Sequence, residues 1–199
     1  MELKYEQLKK FEQEDTCTFL KEVSGWNNHR PLLYLALELS KTGDILELGC
    51  GEGSTNQLHC YSEKTNRKVI SYDFNQEWLD KYKHLATDNH QFRCNPNPTG
   101  LIDYVIRDGK CSVCLIDHSP GERRWEDAIA IKDLVDYVVI HDSESAATGY
   151  MLDKVFPHYK YRLNNNTIGA CATLLSNKVD VTIYNNMDFG GFTFTTEIV

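Results

Sequence analysis

The sequence predicts an α/β fold in which a mostly parallel sheet is doubly wound with helices and ends in an antiparallel hairpin. Short apolar runs alternate with amphipathic segments along most of the 199 residues. The central runs are almost continuously apolar, as in strands that are buried on both faces. The first of these runs leads directly into a glycine-rich loop. A chain of this length supplies one substantial core, so we expect a single domain.

The N-terminal part is expected to be helical before the first strand. Residues 2–24 carry apolar side chains at intervals among charged ones. Pro31 then opens a stronger helix that reaches Ser40, because proline fits the first turn of a helix. Thr42 and Gly43 end that helix.

Seven apolar runs are predicted strands, and they lie at 45–48, 68–73, 91–94, 111–116, 137–140, 159–163 and 170–175. Predicted helices lie at 54–62, 76–85, 122–134 and 146–155. An Asn-rich turn joins the last two strands, which indicates an antiparallel hairpin. The tail, 179–199, is β-like, and we expect it to form an extra strand or a dimer contact.

Composition excludes several classes of partner. Lys and Arg number 21 against 29 Asp and Glu, which gives a net charge of −8. No basic cluster is larger than Arg123-Arg124, so a nucleic-acid substrate is disfavoured, because phosphate contacts need a basic face. No apolar run approaches the roughly 18 residues of a spanning helix, so no membrane partner is expected.

The seven cysteines are odd in number and scattered along the chain. Cys111 and Cys114 have the spacing of a zinc site, but in a strand residues three apart point to opposite faces. No second Cys/His pair follows at a suitable distance. We therefore expect seven reduced thiols in a cytoplasmic, reducing compartment. The N-terminus lacks the apolar core of a secretion signal, which agrees with this expectation.

The glycine-rich loop points to a class of ligand. Gly49, Gly51 and Gly53 have G-x-G-x-G spacing, whereas a dinucleotide site has G-x-G-x-x-G. Glu47 lies two residues before the first glycine. A carboxylate there would repel a pyrophosphate but suits a cationic ligand.

With these residues the chain resembles the class I S-adenosyl-L-methionine (AdoMet)-dependent methyltransferases, whose first motif is E/D-x-G-x-G-x-G. The resemblance covers about residues 30–178 and implies a Rossmann-like sheet. Residues 1–40 are then N-terminal helices, 41–178 a cofactor-binding core and 179–199 a C-terminal extension. The cofactor-binding residues that it implies are Glu47, Gly49, Cys50, Gly51, Gly53, Ser54, Asp73 and Asn95.

Three of these residues have individual roles in the resemblance. Asp73 ends the second strand about 20 residues beyond the glycine loop, where a carboxylate can accept hydrogen bonds from both ribose hydroxyls. Asn95 ends the third strand and is the candidate for the adenine. Glu47 is expected to act through a water or near the amino end of the methionine portion.

Two readings of the chemistry remain open at the carboxyl ends of the fourth and fifth strands. In the first, Asp117 and Asp142, with His141 or Glu144, bind Mg²⁺ or another divalent cation that orients two hydroxyls. This pattern is similar to metal-dependent O-methyltransferases of the catechol type and of the sugar type. In the second, His118 is the general base, and Asp142 or Asp117 orients it. The catalytic residues are therefore His118, Asp117 and Asp142.

The sequence thus predicts methyl transfer to a hydroxyl of a small polar acceptor, with a sugar or glycan favoured. The alternatives are an N-methyltransferase, a catalytically inactive AdoMet-fold binding protein, and a nicotinamide-dependent oxidoreductase, which the glycine spacing disfavours. Arg123 and Arg124 open a predicted helix, where positive charge opposes the helix dipole, so one of them is expected to meet a carboxylate. The candidate walls of the acceptor pocket are Asn28, His29, Arg30, Trp125 and Tyr150.

Overall fold

The computed structural model describes residues 2–95, 111–144, 150–167 and 169–197. Within these ranges the seven strands of the main sheet are β1 (Asp44–Leu48), β2 (Val69–Asp73), β3 (His90–Cys94), β4 (Cys111–Ile116), β5 (Tyr137–His141), β6 (Tyr161–Asn165) and β7 (Ala172–Ser176). Their order across the sheet is β3-β2-β1-β4-β5-β7-β6. All neighbouring pairs are parallel except those that β7 makes with β5 and β6. The predicted fold class is confirmed.

The register brings the ends of the central strands to one edge of the sheet. Leu48 at the end of β1 pairs with Tyr72 of β2 and with Ile116 of β4, and Ile116 pairs with Ile140 of β5. In open α/β sheets ligands bind at this carboxyl edge, where the strand order changes direction. The change occurs here between β1 and β4.

Helices cover both faces of the sheet, and the described ones are α1 (Glu2–Glu14), α2 (Arg30–Ser40), α3 (Thr55–Thr65), α4 (Gln76–Asp80) and α5 (Arg124–Ile131). Successive strand residues face opposite sides. Ile45 accordingly packs in the core with α2 and α3, whereas Leu46 packs in the second core with α5. Among the helices that the structure describes, none has the length and apolar character needed to cross a membrane.

The first predicted helix, 2–24, is wrong beyond Glu14, where α1 ends. The Asp15 carboxylate accepts hydrogen bonds from the backbone N–H groups of Phe19 and Leu20, at 3.0 and 2.8 Å. Such side-chain bonds compete with helical ones and favour a turn. Phe19 is nevertheless fully buried, so the apolar pattern in this segment indicated which residues are buried and not that they form a helix.

Two of the later predicted helices, 76–85 and 122–134, are shorter than expected, whereas the one predicted at 54–62 extends to Thr65. A 3-10 turn at Lys83–Leu85 follows α4, and another at Gly121–Arg123 precedes α5. Of the predicted helix at 146–155, residues 146–149 lie outside the described ranges, and the remainder contains a 3-10 turn at Leu152–Lys154.

The tail forms a small ribbon, with β8 (Asp188–Phe189) antiparallel to β9 (Phe192–Thr193). Beyond it, Thr195 makes an isolated antiparallel bridge with Asn164 of the edge strand β6. The tail therefore extends the sheet edge by one bridge, in place of a full extra strand. The alternative, a dimer contact, stays a prediction.

The prediction that all seven cysteines are free thiols is wrong for one pair, because Cys17 and Cys60 form a disulfide. The turn after α1 packs on α3 and brings the two Cα atoms to 5.6 Å, although 43 residues separate them in sequence. Spacing along the chain carries no information on such a contact. The cysteines therefore no longer argue for a reducing compartment.

We expect Cys17→Ser to lower the free energy of unfolding by about 2–4 kcal/mol, because the disulfide closes a long loop in the unfolded chain. Urea unfolding measures the change, and Cys94→Ser, at a half-buried thiol, is the control with little effect. Alkylation of the denatured, unreduced protein should leave two cysteines unmodified. Reaction of all seven would contradict the pairing.

Candidate cofactor and catalytic site

Gly49 sets how closely β1 and β4 approach each other. Its φ is +99°, in the left-handed region that favours glycine. A Cβ on Gly49 would lie 2.6 Å from the carbonyl of Asp117 and from the Cα of His118. A side chain at this position would therefore push the two strand ends apart.

Gly51 is different, because nothing in the described protein requires a glycine there. Its φ is outside the left-handed region, and a Cβ would meet only the Gly53 nitrogen, at 3.9 Å. The space above Gly51 is open. A ligand lying close against the loop would fill it, which fits the cofactor that the sequence predicts.

Glu47 holds the loop from inside the protein. Its carboxylate is fully buried and accepts hydrogen bonds from the hydroxyls of Ser54 (2.5 Å), Thr55 (3.0 Å) and Ser71 (2.5 Å). The Thr55 hydroxyl in turn accepts from the N–H of Gly51, at 2.8 Å. Burial raises the pKa of Glu47 to about 7, although these hydroxyl bonds act to lower it.

Arg30 holds the same loop from its outer side. Its Nε donates to the Gly53 carbonyl at 2.6 Å, and its terminal nitrogen donates to the Glu52 carbonyl at 2.9 Å. The sequence suggested Arg30 as a wall of the acceptor pocket. The structure places it as an anchor of the glycine loop.

Asp73 lies at the end of β2 with both carboxylate oxygens directed to backbone N–H groups. Oδ2 accepts from Cys50 at 3.1 Å, and Oδ1 accepts from Asn75 at 2.9 Å. Each oxygen can accept a second hydrogen bond, so the carboxylate retains acceptor capacity for a diol. The N-cap of α4 is Asn75, whose side chain accepts from the first turn.

A cleft of about 250 Å³ runs along this edge of the sheet. The residues that line it are Gly49, Cys50, Asp73, Asn75, Trp78, Asp117, His118 and Ser119. Asn95 is not among these lining residues; its N–H donates to the Asp73 carbonyl at 3.0 Å. Sequence reasoning missed Trp78, whose indole N–H donates to the Cys50 carbonyl at 2.6 Å.

His118 forms a buried pair with an acid that the sequence analysis did not select. Its Nε2 lies 2.7 Å from Oδ2 of Asp127, and both side chains are buried. The expected partners were Asp117 or Asp142, so this expectation is corrected. Asp127 is on α5, where it shares the buried face with Ala128 and Ile131. The sequence signal that could have identified Asp127 is an acidic residue on the apolar face of a predicted helix.

Arg124 joins the ends of β4 and β5. It donates to the carbonyls of His118 (3.0 Å) and His141 (2.9 Å), and to carboxylate oxygens of Asp117 and Asp142 (both 3.0 Å). The expectation that Arg123 or Arg124 meets a carboxylate is therefore confirmed for Arg124. This guanidinium holds one oxygen of each acid, and its positive charge opposes a Mg²⁺ ion shared between Asp117 and Asp142.

Three side chains gather beside Arg124. The Nδ1 of His141 lies 3.2 Å from Asp117, and the ring of His29 packs edge-on against His141 with centroids 4.7 Å apart. Burial raises the pKa of Asp117, but the hydrogen bond from His141 and the nearby positive charges bring it below its usual value. For His141 the balance is reversed: burial lowers its pKa, and Asp117 raises it above the ordinary value.

Two other suggested pocket residues have structural contacts. The ring of Tyr150 lies 4.9 Å from the Arg124 guanidinium, and it packs so closely on Gly121 that a Cβ there would meet it at 2.3 Å. Trp125 packs under the ammonium group of Lys154, at 4.5 Å. Neither lies among the residues that line the cleft.

No protein-family model matches the chain, and a search of curated protein sequences returns no significant match. Solved structures do match. A candidate O-methyltransferase from Klebsiella pneumoniae superposes with a TM-score of 0.55 over 87% of this chain and 90% of its own, at 12% identity. The chain has the fold of the class I AdoMet-dependent methyltransferases.

Two further structures have lower scores. The bifunctional kinase-methyltransferase WbdD gives a TM-score of 0.48 at 16% identity over 76% of this chain, which spans 38% of that chain's length. The plantazolicin methyltransferase BpumL, in complex with S-adenosylhomocysteine (SAH), gives 0.47 at 14% identity over 87% of this chain and 90% of its own.

The buried Glu47 carboxyl should make stability depend on pH. Its pKa is about 7 in the folded chain against an ordinary 4.5, so protonation favours folding. That contribution is complete below about pH 4.5 and is lost as pH rises through about 7. Between about pH 5 and 8 the wild type should therefore lose about 2.5 kcal/mol of unfolding free energy relative to Glu47→Gln.

Urea unfolding of both proteins at several pH values measures this difference. The matched control is Glu77→Gln, at an exposed glutamate on α4, which should follow the wild-type curve. Parallel pH curves for the wild type and Glu47→Gln would show that the carboxyl titrates normally.

Proposed function

We propose that this chain is an AdoMet-dependent O-methyltransferase acting on a hydroxyl of a small polar acceptor, with a sugar or glycan as the favoured class. One observation carries the proposal. The His118–Asp127 pair stands at the end of β4, and His118 lines the same cleft as Gly49 and Asp73. A base and a cofactor cradle therefore share one cleft.

The cofactor is proposed to lie along the glycine loop and the end of β2. The open space above Gly51 allows a ligand to approach the backbone of the loop closely. The Asp73 carboxylate can still accept hydrogen bonds from the ribose hydroxyls. Trp78 supplies an aromatic wall on the same side of the cleft. Bound AdoMet supplies a methyl group that its sulfonium makes electrophilic.

The protein's part in the reaction is to remove a proton from the acceptor. As the hydroxyl oxygen bonds to the methyl carbon, the carbon–sulfur bond breaks and the hydroxyl proton passes to His118. Asp127 holds Nε2, which fixes the ring and stabilises the imidazolium that forms. Nδ1 is buried and has no hydrogen-bond partner among the described residues, and we propose that it takes the proton once the acceptor has entered the cleft.

The pair favours a hydroxyl over an amine acceptor, because a neutral amine attacks without prior removal of a proton. The net charge of −8 opposes a nucleic-acid substrate. The preference for a sugar or glycan comes from the strand-end residues and their resemblance to sugar O-methyltransferases.

A homodimer and a cytoplasmic location belong to the same proposal.

Cofactor binding is tested by calorimetric titration with SAH. We expect micromolar binding, weakened at least about tenfold in Asp73→Ala and in Gly51→Ala, because the first loses acceptor oxygens and the second fills the cradle. Gly51→Ala should keep the wild-type melting temperature. Gly49→Ala is the matched contrast and should unfold at a clearly lower temperature, since its Cβ meets the backbone of β4. Equal SAH affinity for Gly51→Ala and the wild type would contradict the placement.

The catalytic pair is tested by transfer of labelled methyl from AdoMet to a panel of sugars, glycans and amines. We expect His118→Gln to lower kcat by about 10²–10⁴, the usual contribution of a general base. Asp127→Asn should also lower kcat, with SAH affinity unchanged in both. His84→Gln, at an exposed histidine, is the control. Full activity without His118 would exclude it as the base, and SAH binding with no turnover on any acceptor would favour the inactive binding protein.

A further inference from the structure

His29, Asp117 and His141 form a three-residue cluster at the carboxyl edge of the sheet. His29 immediately precedes α2, Asp117 follows β4, and His141 ends β5. One nitrogen or oxygen atom from each lies within 4.8 Å of the others. Three segments far apart in sequence therefore bring two imidazoles and one carboxylate together.

His29 has no hydrogen bond that explains its burial. The side chain is fully buried, and neither ring nitrogen makes a well-formed hydrogen bond with the described residues, although the Gly53 backbone lies close enough to favour the charged ring. A buried polar group without a partner costs free energy, so each such group in a native protein calls for a reason. A metal ion on one nitrogen would supply that reason.

His141 has the orientation of a metal-binding histidine. Its Nε2 lies 3.3 Å from the Gly25 carbonyl, a hydrogen-bond acceptor. Its Nδ1 faces Asp117 at 3.2 Å. In metal sites the ligating histidine commonly donates its other N–H to a backbone carbonyl, which fixes the tautomer and the ring orientation.

Asp117 retains an oxygen for a ligand. Arg124 and His141 both contact its Oδ1, and no hydrogen bond from the described residues reaches Oδ2. Asp142, in contrast, is bound to Arg124; its Oδ1 lies 3.5 Å from Nδ1 of His141, but it is not one of the three clustered residues. The cluster thus offers two nitrogens and one oxygen, whereas Mg²⁺ requires mainly oxygens.

We infer that His29, Asp117 and His141 bind one divalent transition-metal ion of the Zn²⁺ class, with a coordination position left open beside the cleft. Imidazole nitrogens select zinc and its neighbours over magnesium. Three protein ligands with one open position is the arrangement of catalytic zinc sites. A ligand distance of about 2.1 Å requires ligand atoms about 3.4 Å apart, so the side chains close by roughly 1 Å on binding.

An ion in this position also has a use in the proposed methyl transfer. Its open position would hold the acceptor hydroxyl and favour loss of its proton. That role rests on the proposed function, whereas the binding of the ion does not. The test therefore measures metal binding alone, with SAH affinity recorded separately.

The experiment titrates chelator-treated protein with Co²⁺, followed by visible absorption, and with Zn²⁺ and Mg²⁺, followed by calorimetry. We expect one Co²⁺ to bind with a visible spectrum, Zn²⁺ to displace it, and Mg²⁺ to bind far more weakly. His29→Leu should weaken Zn²⁺ binding by about 100-fold or more, since loss of an outer-shell partner alone costs 10–100-fold. It breaks no hydrogen bond in the described part of the chain, so the melting temperature should be kept.

Two control variants separate the alternatives. His84→Ala removes an exposed histidine and should leave Zn²⁺ affinity unchanged. Asp142→Asn should change Zn²⁺ affinity by no more than about threefold, because Asp142 contacts His141 but is not one of the three proposed ligands. The inference is overturned if Co²⁺ and Zn²⁺ do not bind, or if His29→Leu binds them like the wild type. Metal binding lost in Asp142→Asn but kept in His29→Leu would assign the ion to the two acids instead. Loss of SAH binding alone would count against the proposed function only.

Discussion

The arrangement of the site depends on one buried guanidinium. Arg124 bonds the backbone at the ends of β4 and β5 and both acids that follow these strands. Its planar set of donors suits several acceptors at fixed angles, which a lysine would not satisfy. The charge lies at the start of α5, where the helix dipole opposes it, and the acids offset that cost. Arg124 thus holds one oxygen of each acid, and the second oxygen of Asp117 receives no hydrogen bond from the described residues.

The glycine loop is held on two sides and open on a third. On the buried side, Glu47 accepts hydrogen bonds from hydroxyl groups that follow the loop. On the outer side, Arg30 donates to carbonyl groups of the loop. Neither contact reaches the face above Gly51. The loop therefore has its shape before any ligand arrives, which lowers the entropy lost on binding. Gly49 is required by the close packing of β1 against β4, whereas the lack of a side chain at Gly51 leaves open space for a ligand.

The sequence predicted the fold because strands and their order follow from local patterns of apolar residues and loops. It also placed Gly49 and Asp73 at the correct edge, since both follow strands directly. The sequence could not predict which residues contact the side chains of the site. Asp127, like the Cys17–Cys60 pair, meets its neighbour only after the chain folds, and periodicity identifies a buried face without identifying what lies opposite. Local periodicity also failed after Glu14, where the Asp15 carboxylate takes the backbone donors of a turn.

The segment between α1 and α2 contributes more to the site than its irregular structure suggests. It carries Gly25 and His29, and the Cys17–Cys60 disulfide fastens it to α3, the helix that follows the glycine loop. In the proposed function the sheet would supply the ribose acceptor and the base, whereas this segment would supply His29, one ligand of the inferred metal site. In the inferred metal site two ligands come from the ends of β4 and β5 and the third from this segment, so exchange of this one stretch would change the set of ligands while the strands stay the same.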